Sequence, residues 1–581
     1  MSTEASGGGT KRKSSPFPST FYVACSMEIF ERMAWYGFFA LSSLYITSPL
    51  AQGGLGFNSI QRGILQGTIP FLLYLFPVIT GALADRYGYR NTFLVAFAIL
   101  TPGYWLLGQF HSFWGFFFAF LLVAMGAATF KPVVVGTVGR VTDDTNRGLG
   151  FGIFYMIVNV GGFIGPVVAG AMRAISWNMV FVASAIWIAF NFIPTIFFYK
   201  EPTTESKSET KRSLRKVLTD AQDVLGNGRF ALTAVPVLIL LMVAGGEWMS
   251  WGKALFWSLL WVGVNLLWNL AASKEEDAPW YRKKAKIGNW PFVLYLLILS
   301  GFWASFNQIF ITMPEYIRDF VDTADLLRFF SLFGDRFVHF IAAVNIDQLS
   351  GAIGTLVAKY GAVSDPQVVR EIFLEIVNYK VRVPAEVIAA EFARLSAMGT
   401  PDAATLTALA HEWADKYRQV NPEYIVNIDA GSIVIFQVLV SWIIQRWSPF
   451  PVLVVGTIVA GIGIAMGSIA LAGYSVVIAI VVFAFGEMIA SPKSQEYVAR
   501  IAPRDKVALF MGYYFVSIAL GNLFGGILSG WGYQKLALGQ NKPELMWILF
   551  GCVGFLTAAA LVAFNKGVVP RLEAQRVANQ D

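Results

Sequence analysis

Charged residues are scarce in this chain. They make up 14% of its 581 residues, whereas soluble globular chains carry about a quarter. The sequence is 56% hydrophobic and contains 49 Phe and 18 Trp. This composition excludes an ordinary soluble domain and predicts an all-α membrane protein that crosses the bilayer many times.

Cysteine and histidine are almost absent. The two cysteines, Cys25 and Cys552, lie in apolar stretches, which excludes a disulfide framework. The three histidines lie outside the predicted spans; they are His111, His339 and His411. Any proton transfer within the membrane would therefore have to use carboxylates. We find no nucleophile–base motif, metal-ligand spacing or phosphate-binding glycine loop. We therefore expect no enzyme and no bound metal or cofactor.

The net charge of +7 comes mainly from loops. Lys and Arg concentrate in alternate loops, which predicts that both termini are cytosolic and that these charges meet anionic lipid rather than nucleic acid. Met1–Pro18 is polar and lacks the apolar region of a signal peptide. We expect a multi-pass protein of a bacterial inner membrane.

Fourteen stretches are long and apolar enough to span a membrane. Their order along the chain is six, an inserted pair, and then six more. They lie near residues 20–46, 60–83, 91–110, 113–138, 149–171, 176–198, 230–249, 252–272, 290–313, 425–446, 450–472, 475–497, 508–532 and 544–565.

These spans predict two six-helix bundles joined by an inserted helix pair. The expected segments are a cytosolic tail (1–18), an N-terminal bundle (19–199), a cytosolic linker (200–228), the inserted pair with its linker (229–288), the first helix of the C-terminal bundle (289–314), an external insert (315–424), the rest of that bundle (425–567) and a second tail (568–581).

Residues 315–424 are too polar to span the membrane and too long for a simple connecting loop. Amphipathic periodicity predicts helices over 326–343, 366–379, 384–395 and 402–417. We expect an external helical cap, and nothing in the sequence indicates its partner.

Three charges interrupt the first apolar stretch. Glu31 and Arg32 follow Glu28 by three and four residues. This spacing places the three side chains on one face of a helix. Charges inside a membrane cost several kcal/mol unless they face partners or a water-filled cavity. Lys131, deep in the fourth span, is their expected partner. A salt-bridge network that only orients helices is the alternative.

A second acid, Glu487, is alone in the apolar run 476–490. An isolated carboxylate there also predicts a functional site facing a cavity.

The loop after the second span, residues 81–90, resembles the signature loop of the major facilitator superfamily. Asp85, Arg86 and Arg90 would form an ion-pair latch at a cytosolic gate. Small residues beside them would let two helix ends approach closely.

Further motifs are similar to those of the proton-coupled oligopeptide transporter family. Glu28–Gly37 resembles its E-x-x-E-R-x-x-[YW]-Y-G motif, and five others follow in order. They are Lys131-Pro132, Phe154–Gly161, Gly301–Ala304, Gln419–Pro422 and Gly486–Pro492.

The resemblance implies the fold of two packed bundles and a proton-driven symporter of short peptides or peptide-like solutes. It places Arg32 and Lys131 at the substrate carboxylate and at coupling, and Glu487 at the substrate amine. The positions that match the family's cavity lining are Tyr36, Asn159, Asn421 and Tyr514. A proton on Glu28 or Glu31 would release Arg32 and Lys131 for the substrate.

The chain also departs from that family. The usual glutamate of the seventh core span is missing near Asn307, and Phe39 stands where its arginine partner is expected. The same fold could therefore carry another organic anion or a nitrogen compound. A non-transporting membrane sensor, with the insert as its receptor part, is a further alternative.

Overall fold

In the computed structural model, residues 17–143, 146–202, 219, 222–272, 278–502 and 507–570 are described. Every regular element among them is helical. The predicted tails and most of the linker 200–228 lie outside the described residues.

The main α-helices of the described residues begin with those of the first half of the chain. They are α1 (Ser19–Thr47), α2 (Ser59–Leu75), α3 (Pro77–Tyr87), α4 (Tyr89–Leu107), α5 (Phe113–Arg140), α6 (Arg147–Ile175), α7 (Trp177–Phe190), α8 (Gly228–Gly245) and α9 (Trp251–Ala271).

The C-terminal bundle and the insert supply the rest. The bundle helices are α10 (Trp290–Phe306), α11 (Gln308–Ile311) and α12 (Met313–Phe320), then α19 (Pro422–Val426), α20 (Ile428–Ile444), α21 (Pro449–Met466), α22 (Gly473–Ile501), α23 (Val507–Gly532) and α24 (Pro543–Gly567). The insert contains α13 (Ala324–Phe330), α14 (Asp335–Ile341), α15 (Ile346–Tyr360), α16 (Pro366–Ile376), α17 (Ala385–Ala397) and α18 (Ala403–Tyr417).

Local sequence explains where several helices begin. Asn58 caps α2 in a reciprocal box with Gln61, and Ser112 accepts a hydrogen bond from the first turn of α5. Such caps satisfy backbone N–H groups that have no partner inside the helix. The apolar runs that follow then continue across the membrane.

Twelve helices of the described residues are long and apolar enough to cross a membrane. They coincide with twelve of the fourteen predicted spans. The other two predicted spans correspond to α1, which carries three charges near its middle, and to α4. The chain is therefore a multi-pass membrane protein, and the count of fourteen stays a prediction.

Each bundle has its own apolar core. One core joins helices α1 to α7 and contains Phe38, Tyr104 and Phe120; the other contains Tyr316, Phe483 and Trp547. The α8–α9 pair packs mainly against itself, with an Arg229 Nη1 to Asn265 Oδ1 hydrogen bond of 3.0 Å. Its many exposed apolar side chains are those of a helix pair in contact with lipid.

The insert differs from its predicted helices in two places. The helix expected over 326–343 is interrupted at Gly334, whose φ of 93° suits glycine. The helix Ile346–Tyr360 was not predicted; its buried Leu349, Ile353 and Leu356 help to form the insert's own core. The preceding bundle helix continues to Phe320, so the insert begins later than the predicted boundary at residue 314.

The insert is attached to both bundles on one side of the membrane, which we call the insert side. Toward the C-terminal bundle, Arg370 donates to the Leu538 carbonyl (3.0 Å) and Arg382 to the Asp319 carbonyl (3.2 Å). Toward the N-terminal bundle, Gln348 lines a cavity together with Ala51 and Gln52. The insert therefore contacts both bundles. The site described below lies between these bundles.

Lys380, in the insert, predicts a pH dependence of stability. Burial, with Arg173 nearby, lowers the pKa of its ammonium to about 7 from 10.5. Between these values the unfolded chain binds the proton that the folded chain has lost, so stability rises with pH through this window. The cost of the buried charge is largest below pH 7. Lys380→Met should therefore raise the thermal midpoint by roughly 1 °C near pH 6, equivalent to about 1 kcal/mol, and by less near about pH 9.

The matched control is Lys542→Met, because Lys542 is exposed on the same side of the membrane. Thermal unfolding in detergent at both pH values measures the effect. Equal gains at the two pH values would contradict the assignment.

Candidate functional site

The three charges of α1 lie together within the protein. Glu28, Glu31 and Arg32 are 2%, 0% and 5% exposed. The Arg32 Nε lies 3.3 Å from Glu28 Oε1, and the same guanidinium pairs more closely with Glu31. One oxygen of each carboxylate, Glu28 Oε2 and Glu31 Oε1, has no hydrogen-bond partner among the described residues. Two acids thus share one arginine, and each retains a buried oxygen able to take a proton.

Glycines on α6 bring its backbone against this part of α1. A Cβ on Gly161 would lie 2.7 Å from the Cβ of Arg32, and one on Gly165 would lie 2.7 Å from the Met33 carbonyl oxygen. Larger residues at these positions would separate the two helices. The close approach fixes the depth of Arg32 relative to α6.

Lys131 on α5 lies near this cluster without a direct ion pair. Its ammonium is 5.5 Å from the ring centre of Tyr74. Arg32, Glu28 and Glu31 are near enough to act on its charge, but no carboxylate of the described residues comes within the 4.0 Å of an ion pair. An ammonium held by an aromatic face can turn to a ligand without breaking a strong ion pair.

Tyrosines from three helices lie beside these charges. Tyr36 lies under Arg32, whose guanidinium carbon is 5.6 Å from the ring centre. Tyr74 stacks on Phe515 of the opposite bundle at 6.1 Å, and Tyr155 lies near Glu28. Neither Tyr74 nor Tyr155 was predicted as a site residue, although Tyr155 belongs to the motif Phe154–Gly161.

Tyr514 is buried inside the C-terminal bundle. Its hydroxyl is 2.7 Å from the hydroxyl of Ser494, and its ring meets that of Trp303 edge-on at 6.5 Å. It therefore supports the wall of the site from behind.

Glu487 on α22 supplies the acid of the opposite bundle. Its Oε2 is buried and has no hydrogen-bond partner in the described part of the chain. Its charge acts on Tyr36, which places the two side chains close across the boundary between the bundles. Glu487 thus lies near Tyr36, which also lies near Arg32 and Lys131.

The two predicted asparagines lie differently. Asn159 donates to the Tyr155 carbonyl of its own helix at 3.0 Å. Asn421 precedes α19 near the insert, where its backbone N–H donates to the Ile341 carbonyl at 2.9 Å. Its amide nitrogen and oxygen are buried without partners among the described residues. Asn421 thus belongs to the insert side rather than to the charge cluster.

The predicted latch loop is only partly described, because the side chain of Asp85 lies outside the described residues. Arg86 is exposed, and Arg90 donates to the carbonyls of Thr195 (3.2 Å) and Ile196 (2.6 Å). The Glu201 carboxylate accepts from the Tyr89 and Arg90 backbone N–H groups at 2.7 and 3.0 Å. An acid at a helix N-terminus is stabilising, and Glu201 was not predicted.

Two buried ion pairs join the bundles on the insert side. Arg62 Nε lies 2.8 Å from Glu315 Oε1, and Arg173 Nη1 lies 2.8 Å from Glu423 Oε2. The side chains of Arg62, Glu315 and Glu423 are 0% exposed, and that of Arg173 is 7% exposed. These pairs were missed because Glu315 and Glu423 fell within the predicted insert.

The positions of the expected family charge pair hold other contacts. Phe39 stacks on Trp35 at 5.2 Å within the N-terminal core. Asn307 begins a break between α10 and α11, and its side-chain nitrogen is buried without a partner in the described part. The insert-side charge pairs are instead provided by Arg62–Glu315 and Arg173–Glu423.

Glycines allow the bundles to meet along α2 and α23. A Cβ on Gly526 would lie 2.5 Å from the Gly63 carbonyl oxygen and would press on the Cα of Gly67. A Cβ on Gly530 would lie 2.9 Å from the Ser59 carbonyl oxygen. These residues belong to the insert-side ends of the two helices, so this side of the site is closed.

A sequence profile of the Major Facilitator Superfamily matches residues 29–363 and 424–579. The chain therefore belongs to the Major Facilitator Superfamily. The predicted fold is confirmed by a solved structure titled as a POT family transporter in complex with 5-aminolevulinic acid, with a TM-score of 0.60, 17% identity and coverage of 95% of this chain and 97% of that one. A peptide transporter POT in complex with sulfate also has a TM-score of 0.60, at 15% identity and 94% coverage of both chains.

Curated relatives confirm the resemblance to peptide transporters. A di-/tripeptide transporter of Lactococcus lactis is 27% identical over 33% of this chain and 41% of its own length. The peptide transporter YePEPT of Yersinia enterocolitica is 25% identical over 51% and 59%. The uncharacterized transporter YclF of Bacillus subtilis is 26% identical over 39% and 46%. The chain thus spans about half the length of the curated relatives it matches.

Proposed function

We propose that this protein is a proton-coupled symporter that imports short peptides or peptide-like solutes by alternating access. One observation carries the proposal: Arg32 and Lys131 of one bundle and Glu487 of the other all lie near the same side chain, Tyr36. A zwitterion leaves water readily only where both of its ends meet opposite charge. The names of the peptide-transporting relatives support the same substrate class.

In the proposed mechanism, the proton acts on the α1 cluster. Glu28 and Glu31 share Arg32 while they are ionised. Protonation of either acid removes one of the negative charges that hold the guanidinium. Arg32, together with Lys131, then binds the carboxylate of the substrate, and one bundle rocks against the other around the occupied site.

The proposed orientation follows the distribution of basic loops. The insert lies outside the cell, both termini are cytosolic, and the membrane is a bacterial inner membrane. The proton is the only coupling ion of the proposal, which involves no cofactor, nucleic acid or enzymatic step.

Uptake into proteoliposomes under an imposed pH gradient tests the function. With the insert side acidic, labelled di- and tripeptides should accumulate, and a protonophore should abolish the accumulation. Ligand-induced thermal stabilisation without any uptake would favour the sensor alternative.

A second candidate is transport of another organic anion or a nitrogen compound. It is favoured by the absence of charge at Phe39 and Asn307. Accumulation of amine-free anions in the same liposomes, in place of peptides, would identify it.

The proposed amine contact predicts a selective effect of Glu487→Gln. A charge-assisted hydrogen bond contributes about 1.5–3 kcal/mol, so affinity for substrates with a free amine should fall about 10- to 100-fold. N-acylated analogues should lose much less. Competition binding measures both, and Glu496→Gln on the same helix is the control because Glu496 forms partly exposed pairs with Lys493 and Arg500. Equal losses for both substrate classes would reject the contact.

A further inference from the structure

Asp429, on α20, is a buried acid that the mechanism above does not use. It is 2% exposed, and its Oδ1 has no hydrogen-bond partner among the described residues. No described cation forms an ion pair with it within 4.0 Å. Asp429 was not predicted as a site residue, and it needs a physical explanation because unpaired acids inside a membrane are costly.

Contacts along α6 place Asp429 at the depth of the α1 cluster. Gly161 and Gly162 pack against Arg32 and Tyr36. The next residue, Phe163, accepts a hydrogen bond from Asn427 Nδ2 at 2.9 Å and also packs on Gly431. Asp429 lies between Asn427 and Gly431 on α20, so it is level with the substrate site.

The groups that face Asp429 include no cation within ion-pair distance. From α22, Glu487 is close enough for the two carboxylates to act on each other. Nearer the insert, Glu423 forms an ion pair with Arg173 of α6. Tyr36 of α1 lies beyond Glu487. Asp429 therefore has one further acid nearby and no ion-pair partner among the described residues.

A carboxylate in such surroundings is much more costly than the neutral acid. Burial without a partner favours the protonated form, and a second nearby acid favours it further. Asn427 and Gly431 contact Phe163 of α6, so Asp429, two residues from each, lies on the opposite face of α20, toward α22 and Glu487.

We propose that Asp429 is a second proton-binding site, which takes up and releases one proton on the Glu487 side of the site in each transport cycle. The proposal rests on the proposed symport and gives that symport one proton in addition to the proton of the α1 cluster. The bound species is a proton rather than a larger cation, because the side chain is almost completely enclosed.

The number of coupled protons tests the proposal. In liposomes that contain the full-length protein, the substrate gradient at which net flux reverses is measured under known pH and electrical gradients. This reversal point gives the number of protons transported per substrate. Asp429→Asn should carry one proton fewer than the natural protein. At a pH difference of about one unit, the limiting accumulation ratio should then fall about tenfold. Asp335→Asn, at an exposed acid of the insert, should leave both values unchanged.

Counterflow, which needs no net proton movement, should be retained by Asp429→Asn and shows that the variant is folded. An unchanged stoichiometry would overturn the proposal. So would a selective loss of basic peptides in counterflow, since it would make Asp429 a substrate contact.

Infrared spectroscopy gives a readout that does not depend on transport. Protein labelled with carbon-13 at the aspartate carboxyl should show a protonated-acid C=O band at neutral pH, and Asp429→Asn should lose it. Absence of the band in the labelled natural protein would overturn the proposal even if the variant failed to fold. A protein that shows the band but transports no solute would instead overturn the proposed function.

Discussion

Replacing Glu31 with Gln is expected to abolish proton-driven uptake while substrate counterflow continues. Gln keeps the shape of the side chain and an oxygen for Arg32, but it cannot bind or release a proton. Glu31 is fully buried and pairs closely with Arg32. Because Gln cannot carry the proton, the pH gradient can no longer drive the substrate, and uptake should fall to the level of protein-free liposomes.

The comparison is made in liposomes that contain the same amount of protein. Uptake is driven first by a pH gradient and then by exchange against internal unlabelled substrate. Glu412→Gln is the matched control, because Glu412 forms an exposed pair with Lys416 in the insert. If Glu31→Gln also stopped counterflow, Glu31 would be needed for substrate binding and a pure coupling role would be wrong.

Replacing Gly526 with Val is expected to hold the bundles apart on the insert side. The added side chain would meet the backbone of Gly63 and Gly67, which cannot turn away as a flexible side chain can. Overpacking of this kind costs about 1–3 kcal/mol or more. A shift of about 3 kcal/mol changes the ratio of closed to open forms about 100-fold, and transport should fall to a similar extent.

The distance between spin labels at Leu50→Cys and Ile469→Cys measures this opening. Both positions are exposed on the insert side, one in each bundle, and Cys552→Ser removes the native exposed thiol. Gly512→Val is the control on the same helix, since no atom lies within 4 Å of a Cβ there. An unchanged distance distribution in Gly526→Val would show that α2 and α23 do not form the closure.

The ion pairs on the insert side are consistent with two bundles that close there and separate again during transport. Arg62–Glu315 and Arg173–Glu423 are buried, so much of their attraction offsets the cost of removing both charges from water. Separating the bundles would return both pairs to water together, which limits the net cost of opening. The same contacts still fix the register of the two bundles, because any other arrangement would bury a charge without its partner.

Much of the fold could be predicted from the sequence, because spanning a bilayer imposes a local requirement. About 20 apolar residues in a row are detectable without knowledge of any partner, and twelve predicted spans coincide with the observed helices. The common face of Glu28, Glu31 and Arg32 follows equally from helical spacing. Lys131 and Glu487 were conspicuous as isolated charges in apolar runs.

Only the tertiary structure decided which distant residues meet. It gave Glu315 and Glu423 basic partners in the other bundle, left Asp429 with none among the described residues, and brought Tyr74 beside Lys131. These relations depend on how helices rotate and pack, which composition and periodicity do not specify. The sequence by itself determined that charges would be enclosed in a membrane protein; packing decided which of them would be neutralised, and by which partner.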